Sequence, residues 1–460
     1  MNQKKLLFQL AGPIAFIIIK LLHFNGLSAE GQAVMATTVW IAIWWITEAV
    51  ELEVTALLPL VILPLSNGMK INDVASSYGS SYIFLFMGGF IIGLAIEKCM
   101  LHERIAFTII KVIGSSPKMI ILGFMVATAF LSMWISNTAT AIMMLPIATS
   151  VVGNEAGSTH FSKNLMLSIA YSSSIGGMAT LIGTPPNIIF AGIVKNSLAI
   201  DISFGKWMVL ALPLSIALLI LAWIYLTRKI PFKLRNIDFQ IKSLPPITTA
   251  QKRVAVVFAL VAFLWITQSF LISKIIPQAE DAIIAISGAL ILFIIPSGKE
   301  KETLMNWNTA KKLPWGILLI FGAGLAIAKG FSSTDLTTWI AGQFMGLSFV
   351  PLFVLILIII ASLNFLTEIT SNTATASMML PLLITLGHSL KIEPVPMLVG
   401  AVLACSCAFM LPVATPPNAV VFSTGKMKIA DMVKSGLAMN LISIAIIFVF
   451  VWFVLPVLWN

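Results

Sequence analysis

The chain has 460 residues, 59% of them hydrophobic and 10% charged, with a mean hydropathy of +1.01. Soluble globular proteins carry about 25% charged residues, so a water-soluble enzyme is excluded and a polytopic membrane protein remains. The net charge of +10 reads as Lys and Arg gathered in cytoplasmic loops, not as a nucleic-acid footprint. Continuous apolar runs of about 20 residues read as helices rather than barrel strands.

In chain order, Lys4 and Lys5 precede an apolar run from Leu6 to Leu22 without a small-residue cleavage site, so the run is expected to be a first span, not a signal peptide. Spans are expected at 6–23, 33–50, 52–66, 82–98, 164–196 (interrupted), 206–228, 254–274, 282–296, 315–332, 395–424 (interrupted) and 436–458. Two further apolar stretches, 119–150 and 350–386, carry a polar cluster at their centre. They are expected to enter the membrane and return on the same side, since polar backbone at that depth must be buried in protein or line a cavity. The fold class is thus an all-α polytopic membrane protein with 11 transmembrane helices and two re-entrant hairpins. With the amino terminus inside and the carboxyl terminus outside, 21 of the 28 Lys and Arg residues fall on the cytoplasmic side. Treating either hairpin as a crossing would spoil that bias. The expected location is the cell (inner) membrane.

The chain is internally duplicated. Residues 136–146 read SNTATAIMMLP and residues 371–381 read SNTATASMMLP, an offset of 235. TPPN recurs at 184–187 and 415–418, and GLAIEK at 93–98 matches GLAIAK at 324–329, both at an offset of 231. With span one set aside, each half holds five crossings and one hairpin. An odd number puts the halves in opposite orientation, the inverted repeat of secondary transporters.

The repeated motifs are polar. Paired prolines remove two backbone donors and clash with carbonyls four residues earlier. Pro185 and Pro186 should therefore free the carbonyls of Leu181 and Ile182, and Pro416 and Pro417 those of Leu411 and Pro412. Ser136-Asn137-Thr138 and Ser371-Asn372-Thr373 are capping residues ahead of helix formers. Free amides and the helix dipole at such ends bind anions, and two facing ends suit an anion charged at both termini. No Lys or Arg lies inside any of the four motifs, and the nearest acid is Glu368. A buried dianion needs compensation, so hard cations such as sodium are expected to enter with it. Ser132, Ser136 and Asn137 with the Gly183 carbonyl form one candidate ion site. Thr367 and Asn372 with the carbonyls of Thr370 and Ala414 form its mirror. Glu48, Glu51 and Glu53 are expected to be solvated or paired at a helix end, Gly88, Gly89 and Gly93 to be close helix contacts, and Cys99, Cys405 and Cys407 to be packing residues.

The paired SNT and TPPN motifs, one set per half, resemble the divalent anion:sodium symporter family, the INDY-type dicarboxylate transporters, over essentially the whole chain. The resemblance implies a homodimer in the lipid bilayer whose protomers each carry a scaffold and an elevator-type transport domain. Scaffold helices would occupy 1–118 and 254–345, and transport-domain segments 119–228 and 346–460, with 229–253 as the cytoplasmic linker. Substrate contacts carried over are Asn137, Thr138, Thr184, Asn372, Thr373, Thr415 and Pro416. Sodium ligands carried over are Ser132, Ser136, Asn137, Gly183, Thr367, Thr370, Asn372 and Ala414. The implied activity is import of C4-dicarboxylates (succinate, malate, fumarate) with two or more sodium ions. The competing readings are a sodium-independent exchanger, an efflux protein of the wider ion-transporter fold, a sodium-coupled citrate or sulfate transporter, and a channel. An intramembrane enzyme lacks the necessary His and Cys constellation, and no nucleic acid is expected as a partner.

Overall fold

The computed structural model describes residues 3–152, 159–230, 245–343 and 350–459, and within these the secondary structure is helical, apart from one isolated bridge between Pro296 and Thr303. Most of the 229–253 linker lies outside the described residues.

Among the described residues six helices are long and apolar enough to cross a membrane, by length and composition: Ile71–Lys98, Phe204–Thr227, Thr249–Ile275, Trp315–Ser333, Asn372–Leu390 and Ile429–Trp459. They expose stripes of large apolar side chains, such as Val209, Ile216, Ile220 and Ile224 on one and Val256, Leu260 and Phe263 on another. Recurrence every three or four residues places each stripe on one helix face, and surface of that kind belongs in hydrocarbon. The chain is a multi-pass membrane protein.

The first half begins with α1 (Gln3–Leu21), which packs on α2 (Ala29–Thr47). The expected span at 52–66 is instead two short pieces, α3 (Leu52–Thr55) and α4 (Leu58–Leu65), because Pro59 can open a helix but not sit inside one. Then come α5 (Ile71–Ser77), α6 (Ser81–Lys98) and α7 (Leu101–Ile113). A helix–turn–helix follows, α8 (Pro117–Ser132) and α9 (Asn137–Val152), then α10 (Thr159–Met178), α11 (Pro185–Leu198) and α12 (Phe204–Thr227).

The second half opens with α13 (Thr249–Thr267), set by a Thr248/Gln251 capping box and carried on by a wide π turn into α14 (Ser273–Ile275). Next are α15 (Asp281–Ile294) and α16 (Trp307–Ala310). From there the order of the first half recurs. A long helix α17 (Trp315–Ser333) and a short one α18 (Leu336–Gln343) precede the helix–turn–helix α19 (Leu352–Leu366) and α20 (Asn372–Leu390). A divided helix, α21 (Val395–Cys405) and α22 (Pro416–Phe422), then leads to α23 (Ile429–Val449) and the terminal α24 (Leu455–Trp459). The amphipathic α7 and the short α18 had no counterpart among the expected spans.

The halves interlock. Each divided helix lays its first part on the first arm of its own helical pair (α10 on α8, α21 on α19) and its second part on the other half's second arm (α11 on α20, α22 on α9). Two sets of polar contacts tie distant segments together. One joins Lys98 to Thr303, Arg104 to Gln251 and Lys163 to Asp431. The other joins Ser28 to Asp335, Lys329 to Asp73 and Tyr82 to Asp201.

Candidate substrate and cation site

The site is built from the two helix–turn–helix tips and the two divided helices. The breaks cover the six residues 179–184 between α10 and α11 and the ten residues 406–415 between α21 and α22. Their cause differs from the sequence expectation. The proline pairs occupy the first positions of α11 and α22, where a missing N–H removes no bond, and the chain unwinds ahead of them. Leu411's carbonyl is not free, since it accepts Ala414 N (3.1 Å) and Asn418 Nδ2 (3.0 Å). In the first break, Gly183 lies so close to Gly177 that an added Cβ would come within 2.4 Å of the Gly177 carbonyl oxygen, an approach that only glycine permits there.

One cavity of about 560 Å³ collects these elements. Asn137, Thr138, Thr184, Asn372, Thr373, Thr415 and Pro416 all line it, so the seven expected substrate contacts meet in one place. Ser136, Gly183, Thr370 and Ala414 line it as well. Ser132 and Thr367 do not. Both are fully buried behind the tips, each 2.6 Å from the amide of the asparagine five residues on. Among the described lining residues none is Lys, Arg or His, and the one acid is Glu48.

Charge compensation therefore has to come from dipoles or ions. Asn137 and Thr138 open α9, Asn372 and Thr373 open α20, and both helix starts, the positive ends of their dipoles, line the cavity. Ser136 Oγ caps α9 by accepting Ala139 N (3.3 Å), whereas Ser371 makes no side-chain cap on α20. Around Asn137, Ser132 Oγ and the carbonyl oxygens of Ser173 and Gly183 lie 2.6, 3.1 and 3.1 Å from one amide atom. With Nδ2 turned toward them the amide's two N–H groups have three oxygens to donate to. With Oδ1 turned toward them four oxygens converge, and a cation relieves the repulsion. The mirror arrangement puts Thr367 Oγ1 2.6 Å from Asn372 Oδ1 and 3.1 Å from the Cys405 carbonyl that it donates to. Both clusters are rich in the oxygen donors that a hard cation takes.

Sequence reasoning missed the wall opposite the tips. Thr47 and Glu48 at the end of α2, Phe86 and Phe90 on α6, and Ile317 on α17 complete the cavity. Glu48 is exposed and adopts a left-handed backbone (φ 47°). Ile369 and Val413, 68% and 82% exposed, also line the cavity, where they stand out as apolar surface among polar groups. Nothing in hydropathy separates these side chains from lipid-facing ones. Gly88, Gly89 and Gly93 are close contacts as expected, to Ala285, Ile182 and Trp134 respectively. Cys405 and Cys407 are buried packing residues.

The sequence model of the family described as "Sodium:sulfate symporter transmembrane region" matches residues 3–459. The chain belongs to that family, the divalent anion:sodium symporters. Among family relatives, the chain is 43% identical to the sodium-dependent dicarboxylate transporter SdcS of Staphylococcus saprophyticus, over 99% of this chain and 92% of the relative. It is 41% identical to SdcS of Staphylococcus aureus (strain USA300), over 97% and 90%. Two solved structures share the fold. The YdaH transporter of Alcanivorax borkumensis has a TM-score of 0.61 at 14% identity, over 84% of this chain and 88% of that one. MtrF of Neisseria gonorrhoeae has a TM-score of 0.60 at 11% identity, over 95% and 96%.

Proposed function

We propose that this symporter couples sodium entry to the import of C4-dicarboxylates such as succinate, malate and fumarate. One observation carries the reading: both SNT tips and both TPPN starts line a single cavity with no basic side chain among its described lining residues. The SdcS relatives, named sodium-dependent dicarboxylate transporters, support the same substrate and ion. In the proposed mechanism, Asn137 and Thr138 with Thr184 hold one carboxylate, and Asn372 and Thr373 with Thr415 and Pro416 hold the other. One sodium binds among Ser132, Ser136, Asn137 and the Gly183 carbonyl, a second among Thr367, Asn372 and the carbonyls of Thr370 and Ala414. Each asparagine touches an ion and the anion at once, so cargo binds well only after sodium.

Movement is proposed to be an elevator, on the evidence of one asymmetry between the halves. Gly93 of α6 packs on Trp134 and Ile135 at the first tip, whereas its repeat partner Gly324 of α17 packs on Ser377, well inside α20. The counterpart of Ser377 is Ile142, 53% exposed, and that of Trp134 is Ile369, 68% exposed. The two contacts differ by about seven residues, roughly 10 Å along a helix. Sliding the tips past α6 and α17 by that distance would exchange the two arrangements. The two groups of polar contacts join segments assigned by charge to the same side, which supports a cytoplasmic amino terminus, opposed repeats and re-entrant hairpins. In this arrangement α9 is half exposed and α20 buried, so the cavity is proposed to open to the cytoplasm. The homodimer is part of the same proposal.

Reconstituted vesicles loaded without sodium test the reading. Labelled succinate should accumulate against its gradient under inward sodium, and uptake should vanish when potassium replaces sodium. Undiminished uptake in potassium would favour exchange instead.

A further inference from the structure

The two candidate ion sites are related by the duplication, yet one of them has a full charge beside it. Glu368 follows Thr367 directly and is only 3% exposed. Its Oε1 accepts the backbone N–H groups of Phe409 (2.7 Å) and Met410 (2.9 Å) and the Asn440 Nδ2 (2.7 Å), and its Oε2 accepts Leu411 N (3.0 Å). Four N–H donors and no acceptor face the group, which is the setting of an ionised carboxylate. Among the described residues no ion pair includes it. A buried carboxylate with hydrogen bonds but no cation is a poor contributor to stability, which directs attention to the site next to it.

The first half handles the equivalent place without charge. At the offset of 235, Glu368 corresponds to Met133, and at the offset of 231, Leu411 corresponds to Thr180. There, Thr180 Oγ1 donates to the Met133 carbonyl (2.5 Å) and accepts Gly183 N (3.0 Å). A neutral hydroxyl ties down the first break; a carboxylate ties down the second.

We propose that Glu368 is a positioning residue of the second cation site, and that its charge makes this site bind sodium more tightly, so that it fills before its mirror in the first half. The carboxylate pins residues 409–411, the stretch that leads into the Ala414 carbonyl and Thr415. It also places a negative charge one residue from Thr367, where burial in a poorly screened interior lengthens its reach. The inference rests on the two-site reading proposed above.

The test is a sodium titration of thermal stability in detergent, without substrate, on the full-length protein and three variants. Ser132→Ala damages the first site and Thr367→Ala the second. The expected result is that Ser132→Ala keeps the wild type's low half-saturating sodium, while Thr367→Ala needs about tenfold more. Glu368→Gln should also shift by about tenfold, with its succinate KM at saturating sodium held within twofold, a split that mere loosening of the fold would not produce. Equal half-saturation in Ser132→Ala and Thr367→Ala, the reverse order, or a Glu368→Gln titration matching wild type each overturns the inference. Should Glu368→Gln fail to fold, the order of the other two decides. If the wild type gains no stability from sodium, or neither Ser132→Ala nor Thr367→Ala changes the titration, the site assignment itself falls and takes this inference with it.

Discussion

Ser377 sits against Gly324, so close that a Cβ on the glycine would lie 2.9 Å from the serine Oγ. The SNTATA-MMLP motifs differ at one position, and it is this one: Ile142 stands where the second half has Ser377. The small residue is found where α20 is packed on α17, and the large one where α9 is half exposed. Exchange of the two arrangements would bring Ile142 toward Gly93. On the proposed elevator, a bulky side chain would resist that approach and favour the present arrangement. Ile142→Ser should shift the population toward the exchanged arrangement, and Gly324→Leu should do so more strongly by expelling Ser377. Labelling of Ile142→Cys by a membrane-impermeant thiol reagent checks this, with reaction from the cytoplasmic side and slowing in the Gly324→Leu background. Equal labelling in both backgrounds would count against the shift.

That assay benefits from the native thiols. Cys405 and Cys407 are buried. Burial pushes the Cys99 thiol above its ordinary value, with Lys98 and Lys299 opposing the rise. Thiolate is the reactive form, so Cys99 should react more slowly than a free cysteine at neutral pH and speed up as pH rises. Mass spectrometry of maleimide-treated wild-type protein should find slow modification at Cys99 and none at the other two.

Asn137→Ala and Asn372→Ala should each abolish transport while the protein stays folded. Losing one charge-assisted hydrogen bond costs about 1.5–3 kcal/mol, and each asparagine is assigned both an ion and the anion. Succinate uptake should therefore drop by about a hundredfold or more, with elution from size exclusion unchanged. Full uptake in either variant removes that residue from the site.

The threonines ahead of the proline pairs are predicted to separate. Thr415 Oγ1 accepts Asn418 N (3.3 Å) and so caps α22, whereas Thr184 makes no side-chain cap on α11. Thr415→Ala should lose about 1 kcal/mol of stability along with transport. Thr184→Ala should impair transport with little change in melting temperature. Thermal unfolding of both in parallel measures the difference.

Much of this was legible because duplication prints the same residues twice. Apolar periodicity located most of the helices, and the repeated SNT and TPPN blocks pointed to the cavity. Two kinds of feature were hidden. The double prolines imply a break with an extended residue ahead of each pair, as Thr184 and Thr415 show, but not that Pro185 and Pro416 open new helices instead of interrupting continuous ones. Phe86, Phe90 and Glu48 reach the cavity only through tertiary packing, since their local sequence matches that of buried or solvated positions elsewhere. Glu368 was visible as the nearest acid, but its four donors come from segments at least 41 positions away in the chain.

A chamber whose described walls offer oxygen and dipoles but no ammonium or guanidinium would, on the proposed reading, borrow its positive charge from the medium. Where sodium is abundant it would grip a dianion; where sodium is scarce the ions would dissociate and the grip fail. Loading and unloading would then follow from the sodium on the two sides, and a collapsed gradient would leave the carrier equilibrating its cargo instead of accumulating it.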